Sequence, residues 1–412
     1  MKKLFYTENR IENKISYYHL LFFLLTLPFD RFYSTVILVS FLIHTLIYFK
    51  KEKIKDISYT MIILQSVFIV TILSACYARS FPAALNVVTK QLAILLFPVL
   101  FTFTSLDIGK YRSRLLEIFA IGCTCTVLYL FCDALHVIWY NKLPFNALFS
   151  QSFVNHNFSL PIELHATYFS MFLLMSVVYC FHRVLTESVT GRRIFFTVCI
   201  FILAAGLIQL SSKSVFIALF IIINIGFPWL LFKQKAAIRF LLVSLSVSAL
   251  LMVLILSVNV FRERLLIDFK NDLFKGPVSE KLSWRIYRWD AAVDLIKQSP
   301  VVGHGAGSEI PLLKASYFDR KMYAAYLSSL NVHNQYLSFL INAGIIGLLI
   351  YISTLCWGFW QAIKLKDILL LSFMVLTTVI SFSEDILDVN KGIFFYAFFF
   401  SFLTISNKEQ FT

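Results

Sequence analysis

Asn331-Val332-His333-Asn334-Gln335-Tyr336-Leu337 is the stretch on which the reading of this chain turns. An apolar run begins at Gln335 and continues to about 360, while a polar stretch occupies about 259 to 332 on the other side. The run exceeds the roughly 20 residues with which an α-helix crosses a hydrocarbon core of about 30 Å. His333 therefore stands at a membrane boundary, where an embedded enzyme would place its chemistry.

Further apolar runs lie outward from this junction, at about 20–33, 34–49, 57–77, 83–104, 115–139, 163–181, 194–210, 214–232, 236–258, 368–382 and 391–406. Hydrophobic residues make up 59% of the chain and charged residues 15%, and mean hydropathy is +0.77. The composition excludes an ordinary soluble domain. The runs are continuously apolar and do not alternate, which predicts helices and not a barrel. The expectation is an all-α integral membrane protein of about twelve transmembrane helices, with a long, partly helical loop before span ten. Residues 1–258 would hold spans one to nine, 259–332 the loop, and 333–412 spans ten to twelve with a tail. The polar N-terminal tail has no small-residue cleavage site, so the first run reads as an uncleaved span.

With the N-terminus inside, twenty of the 37 Lys and Arg fall in cytoplasmic segments and five in short outer loops. This bias predicts cytoplasmic termini and an external long loop. The net charge of +14 comes from clusters beside spans, where it sets topology and meets anionic lipid, so no nucleic-acid partner is expected. The seven cysteines lie in or beside apolar runs without metal-ligand spacing and read as core residues.

The unusual polar residues gather at the outer face. His165 opens span six in Glu163-Leu164-His165-Ala166-Thr167-Tyr168. Gln209-Leu210-Ser211-Ser212-Lys213-Ser214 joins spans seven and eight with almost no loop. There the N–H groups of a helix start beside Lys213 would suit an anion, or the serines would simply cap the helix while Lys213 snorkels. Lys90 interrupts span four and reads either as a lipid-phosphate contact or as a snorkelling side chain. Inside the loop, Trp289, Ala292, Val293 and Ile296 recur at helical spacing and predict an amphipathic helix. It could alternatively lie flat in the headgroup layer through Trp284, Ile286 and Trp289.

Arg285 and Arg288 share a face of that helix. They could grip a diphosphate through forked hydrogen bonds, or form a solvated basic face with Asp290 and Asp294. Pro300 and Gly303-His304-Gly305-Ala306-Gly307 end the helix in a turn whose glycines would let backbone approach a ligand. An imidazole such as His333 can take a proton from a hydroxyl at neutral pH; it could equally cap a helix. Glu384, Asp385 and Asp388 read as solvated loop charges, with orientation of a histidine or binding of sugar hydroxyls as the alternatives. No phosphate-binding loop of the GxxxxGK[ST] kind occurs, and no paired outer carboxylates call for a divalent metal.

These residues, in this order, resemble the O-antigen ligase and polymerase superfamily of bacterial envelope glycosyltransferases. The likeness rests on the arginine helix running through Pro300-Val301-Val302-Gly303-His304-Gly305, on His333-Asn334-Gln335-Tyr336-Leu337 with Gly344, and on the Ser-Ser-Lys-Ser junction. His165-Ala166-Thr167-Tyr168 and Glu384-Asp385-Ile386-Leu387-Asp388 with Gly392 support it. The resemblance implies a GT-C-like fold in the bacterial inner membrane. It also implies inverting, metal-independent transfer of a glycan from undecaprenyl diphosphate at the periplasmic face, with no cofactor. His333 would be the base, and Arg285 or Arg288 with Lys213 would bind the diphosphate. Lys90, His165, Asn334, Gly303, Gly305 and Glu384 would be supporting residues. Lys213 stands where the family usually carries arginine. Within the superfamily the ligase, with lipid A-core as acceptor, is favoured over a polymerase or a protein glycosyltransferase. A transporter or flippase would instead place ionisable residues at the bilayer midplane.

Overall fold

A computed structural model describes residues 10–29, 31–267, 270 and 285–408. Among these residues the regular structure is helical. A helix stands at each of the twelve expected positions: α1 (Ile11–Thr26), α2 (Arg31–Ile47), α3 (Tyr59–Ala75), α4 (Phe81–Phe103), α5 (Ile108–Tyr140), α6 (Ala166–Thr186), α7 (Thr190–Leu210), α8 (Lys213–Leu231) and α9 (Gln234–Ser257), then, after the loop helices α10 (Arg285–Gln298) and α11 (Glu309–Asp319), α12 (Gln335–Lys364), α13 (Ile368–Ser381) and α14 (Asn390–Lys408). Seven of them, α4 to α9 and α12, are long and apolar enough to cross a membrane.

The nature of the surroundings is legible in α9, which buries only Ser244 although its apolar window has a mean hydropathy of 2.6. An apolar helix exposed on every side is stable in lipid and not in water. At the other extreme, α14 is buried along nearly its whole length and packs on α4, α5 and α13. Its phenylalanines interlock with their neighbours, Phe399 lying 5.2 Å from Phe119 and Phe400 5.7 Å from Phe373 between ring centroids. Such shape fitting is what holds helices together where lipid removes the hydrophobic drive.

The first span differs from expectation at its start. The helix begins at Ile11 and not near 20, because its polar first turns are held by neighbours: Nε2 of His44 pairs with the Glu12 carbonyl at 3.0 Å and with Ser16 Oγ at 3.1 Å. Similarly, α5 starts at Ile108, capped by Asp107 at 2.9 Å from Lys110 N, and an Arg112–Asp367 ion pair at 2.5 Å ties it to α13. Of the cysteines, Cys123, Cys180 and Cys199 are core residues as expected, whereas Cys76, Cys125, Cys132 and Cys356 are exposed.

The polar loop is stitched into the bundle through a break in α12 at Gly344, whose φ is +63° and ψ −162°. Loop carbonyls take over the orphaned N–H groups: Ile345 N donates to Pro300 O at 2.9 Å, while His304 N and Gly305 N donate to the carbonyls of Ile341 and Asn342 at 2.8 and 2.9 Å. The close approach that glycine permits at 303 and 305 is made to the chain itself. A Cβ at Gly303 would lie 2.6 Å from Ala343 N, and one at Gly305 2.4 Å from Ala78 Cα. A Cβ at Gly344 would stand 2.2 Å from Val301 O. Gly344→Ala is therefore expected to destabilise the fold by at least about 2 kcal/mol, read as a lowered unfolding temperature in detergent; an unchanged temperature would show that the loop is not anchored there.

Candidate functional site

The N-terminus of α12 is built by carboxylates. Three successive backbone N–H groups are captured: Val332 N by Glu309 Oε1 at 3.0 Å, His333 N by Asp385 Oδ2 at 3.0 Å and Asn334 N by Asp385 Oδ1 at 2.8 Å. Asn334 then caps the helix, its Oδ1 accepting from Tyr336 N at 3.0 Å and Leu337 N at 3.2 Å. Holding both N–H groups on one carboxylate leaves His333 in the left-handed region, at φ +49°, a conformation that costs an unsupported residue about 1–3 kcal/mol.

So placed, the His333 ring meets Glu384, with Nδ1 3.1 Å from Oε2. Arg285 approaches the other carboxylate oxygen at 3.7 Å, and Thr167 Oγ1 donates to the same oxygen at 3.5 Å. Burial alone would raise the Glu384 pKa, but the hydrogen bond from His333 and the charges of His333, His165 and Arg285 bring it below the ordinary value. Glu384 is thus held toward its ionised form, and its Oε2 accepts a hydrogen bond from Nδ1 of His333, leaving Nε2 as the ring nitrogen not engaged by that carboxylate. The ring is part-exposed, its side chain 28% accessible against 10% for Glu384.

The two arginines have different tasks. Arg285 is the one that reaches Glu384, the partner of the histidine. Arg288 is buried and donates to Asn331 O at 3.1 Å, beside Trp289, whose Nε1 donates to Val332 O at 3.1 Å. Both contacts fix the strand of chain leading into His333. The buried face of α10 is accordingly Arg288, Ala291, Ala292 and Leu295, with Val293 exposed, because the helix packs on α11 and α12. Asp294 pairs with Arg320 and Lys297. Ser283 and Trp284 lie outside the described residues.

The serine junction adjoins the same turn. Ser214 and Ser383 share a hydroxyl contact, which brings Lys213, the first residue of α8, beside Glu384's turn. Ser212 makes no side-chain cap bond. His165 caps α6, its Nδ1 accepting from Thr167 N at 3.3 Å. Its ring lies 4.1 Å from that of His156, whose Nδ1 accepts from Ala166 N at 3.4 Å. Burial lowers the His165 pKa; Glu384 opposes this, and His156, His333 and Arg285 add to it.

Glu384, Asp385 and Asp388 are not solvated loop charges: the first two are buried and the third half-buried. Sequence reading also missed Glu309, buried at the start of α11, where it accepts from Ser338 and, at 3.3 Å, from Asn342. Carboxylate oxygens of Glu309, Asp385 and Asp388 lie within 4.8 Å of one another. Burial and mutual repulsion raise the pKa of Glu309 and Asp385, and burial raises Asp388 against the pull of Lys90. Three carboxyls so close ionise less readily than free ones. Glu309 follows Ser308 at a helix start, where an acid ordinarily marks nothing more than a first turn; His156 opens a single helical turn, His156–Ser159, with no motif around it. Neither carried a signal.

Residues 198–352 match the family model described as O-antigen ligase. This segment is similar to that family, and the likeness supports the O-antigen ligase and polymerase superfamily. Members of this superfamily are glycosyltransferase-like enzymes acting on lipid-linked glycans. The matched segment includes Lys213, Arg285, Arg288 and His333, while His165, Glu384 and Asp385 lie outside it. No curated protein matches the chain.

Arg288→Ala is expected to lower stability by about 3 kcal/mol, since it empties a buried, hydrogen-bonded charge site. Arg285→Ala is expected to cost less than about 1 kcal/mol while abolishing most activity; thermal unfolding with parallel rate measurements separates the two. For His165 the folded pKa is depressed, so unfolding takes up a proton once pH drops below the ordinary imidazole value of about 6.5. Wild-type stability should fall as pH is lowered through that range, and His165→Asn, which keeps a capping oxygen, should flatten this part of the curve in pH-dependent unfolding.

Proposed function

We propose that the protein is an O-antigen ligase, transferring a glycan from undecaprenyl diphosphate to the lipid A-core of lipopolysaccharide. In this reading it spans the bacterial inner membrane twelve times on a GT-C-like fold. Both termini are cytoplasmic, and the His333 end of the bundle faces the periplasm. The observation that carries it is the His333–Glu384 pair, in which the carboxylate engages Nδ1 and the part-exposed ring offers Nε2 as the proton acceptor.

The acceptor hydroxyl gives its proton to Nε2 as its oxygen attacks the anomeric carbon from the face opposite the phosphate oxygen. The bond from that carbon to the phosphate oxygen breaks, configuration inverts, and undecaprenyl diphosphate leaves. Arg285 and Lys213 neutralise the charge that develops on the diphosphate, work that elsewhere falls to a metal. Lysine supplies charge without the guanidinium fork, which leaves bidentate contact to Arg285. Glu384 holds the ring and stabilises the imidazolium that forms.

The test is transfer by the purified protein in nanodiscs, with undecaprenyl-diphosphate-linked O-antigen and lipid A-core. His333→Ala should lower the rate by about 10²–10⁴-fold, and a chelator should leave the wild-type rate unchanged. Wild type that lengthens the donor glycan and ignores lipid A-core would be a polymerase, and the ligase reading would fall.

A further inference from the structure

A cavity of about 420 Å³ lies at the His333 end of the bundle, between α3, α4 and the start of α12, under the segment 306–311. Its size is that of a small-ligand site. Asp388, on the turn that also carries Glu384, forms part of its wall, and neither Arg285 nor Lys213 is among its lining residues. Asn331 and Gln335, two residues to either side of His333, line it as well.

The lining is made for hydroxyl groups. Asn86 and Lys90 are four apart on α4 and share a face, and both are exposed. Among the described residues the side chains of Asn86, Asn331 and Lys90 engage no hydrogen-bond partner. Gln335 commits Oε1 to Leu387 N at 2.8 Å, which leaves its amide hydrogens for a ligand. Phe339 adds an apolar wall. Together these offer donors and acceptors around one flat apolar surface, the pattern a sugar ring needs.

The ionisable groups in the wall are Lys90, Glu309 and Asp388, and Asp385 lies within 4.8 Å of the two acids. One lysine beside acidic residues offers no cluster of cations for a phosphate, whereas a neutral polyol can bond to either kind of group. The exposed face of α4 also carries Leu85 and Thr89 beside Asn86 and Lys90, so the cavity opens sideways along a span, and a ligand held in it can keep its lipid anchor in the membrane.

We infer that this cavity binds the neutral saccharide portion of the second lipid-linked substrate, the acceptor, with Asn86, Asn331 and Gln335 contacting its hydroxyls. The donor diphosphate lies with Arg285 and Lys213, which do not line the cavity. The identity of the cavity's occupant as acceptor rests on the transfer reaction proposed above; saccharide binding does not.

The probe is rough lipopolysaccharide, which carries lipid A-core without O-antigen, and the full-length protein in nanodiscs is used. Binding is measured first in a His333→Ala background, where no reaction can interfere. The double variant Asn86→Ala/Asn331→Ala and the filling variant Asn86→Trp should each weaken binding about tenfold or more, with unfolding temperatures unchanged. In the active background the same variants should raise KM for rough lipopolysaccharide by a similar factor and leave KM for the undecaprenyl-linked donor and kcat within about twofold. Unchanged binding in the variants, or no binding to wild type, overturns the inference. A rise confined to the donor KM overturns it too, by giving the cavity to the donor. If binding falls as expected while His333→Ala still transfers glycan, the cavity stands and the proposed mechanism fails.

Discussion

Three consecutive backbone N–H groups, those of Val332, His333 and Asn334, are held by two buried carboxylates, Glu309 and Asp385, and most of what is distinctive in the structure depends on that grip. It stops α12 from extending backward, forces His333 into a left-handed conformation and turns its ring onto Glu384. It also joins parts distant in the chain. Glu309 comes from the polar loop and Asp385 from the turn between α13 and α14, so the histidine is oriented only when loop and bundle are docked. Burying the carboxylates is costly in itself; the N-terminal end of a long helix, with its unsatisfied donors and positive dipole end, is where that cost is best offset.

The docking has its own devices, and they are steric more than electrostatic. At Gly344 the helix opens and accepts the loop backbone, while Gly303 and Gly305 lie against Ala343 and Ala78 with no room for a side chain. The break is tolerated because the N–H groups of Ile345 and Ile346 find loop carbonyls, and the carbonyls of Ile341 and Asn342 find loop N–H groups. Arg288 and Trp289 then clamp the carbonyls of Asn331 and Val332. The arginine helix is therefore partly scaffold and partly site, and adjacent turns of one helix divide the two tasks.

Helical class and the positions of the long helices were legible in the sequence because a continuous apolar run records burial in lipid directly. The ends were less so. Ile11 lies well before the first apolar run, since its turn is stabilised by contacts to His44 that no local pattern reveals. His333, Lys213 and Arg285 were legible as unusual polar residues at one face. Glu384, Asp385 and Asp388 carry the same letters whether solvated or buried, and only the packing of α13 and α14 against α12 decides between these. The choice between Arg285 and Arg288 was likewise closed to sequence, because both lie on one helical face and differ only in what stands opposite.

In this arrangement Glu384 acts through His333. The most direct measurement is a double-mutant cycle on the transfer rate, comparing His333→Gln, Glu384→Gln and the two combined. If the carboxylate serves to orient and charge the imidazole, the combined variant will be no slower than His333→Gln alone. Losses that multiply would show two independent contributions, and would contradict the arrangement of base and anchor described above.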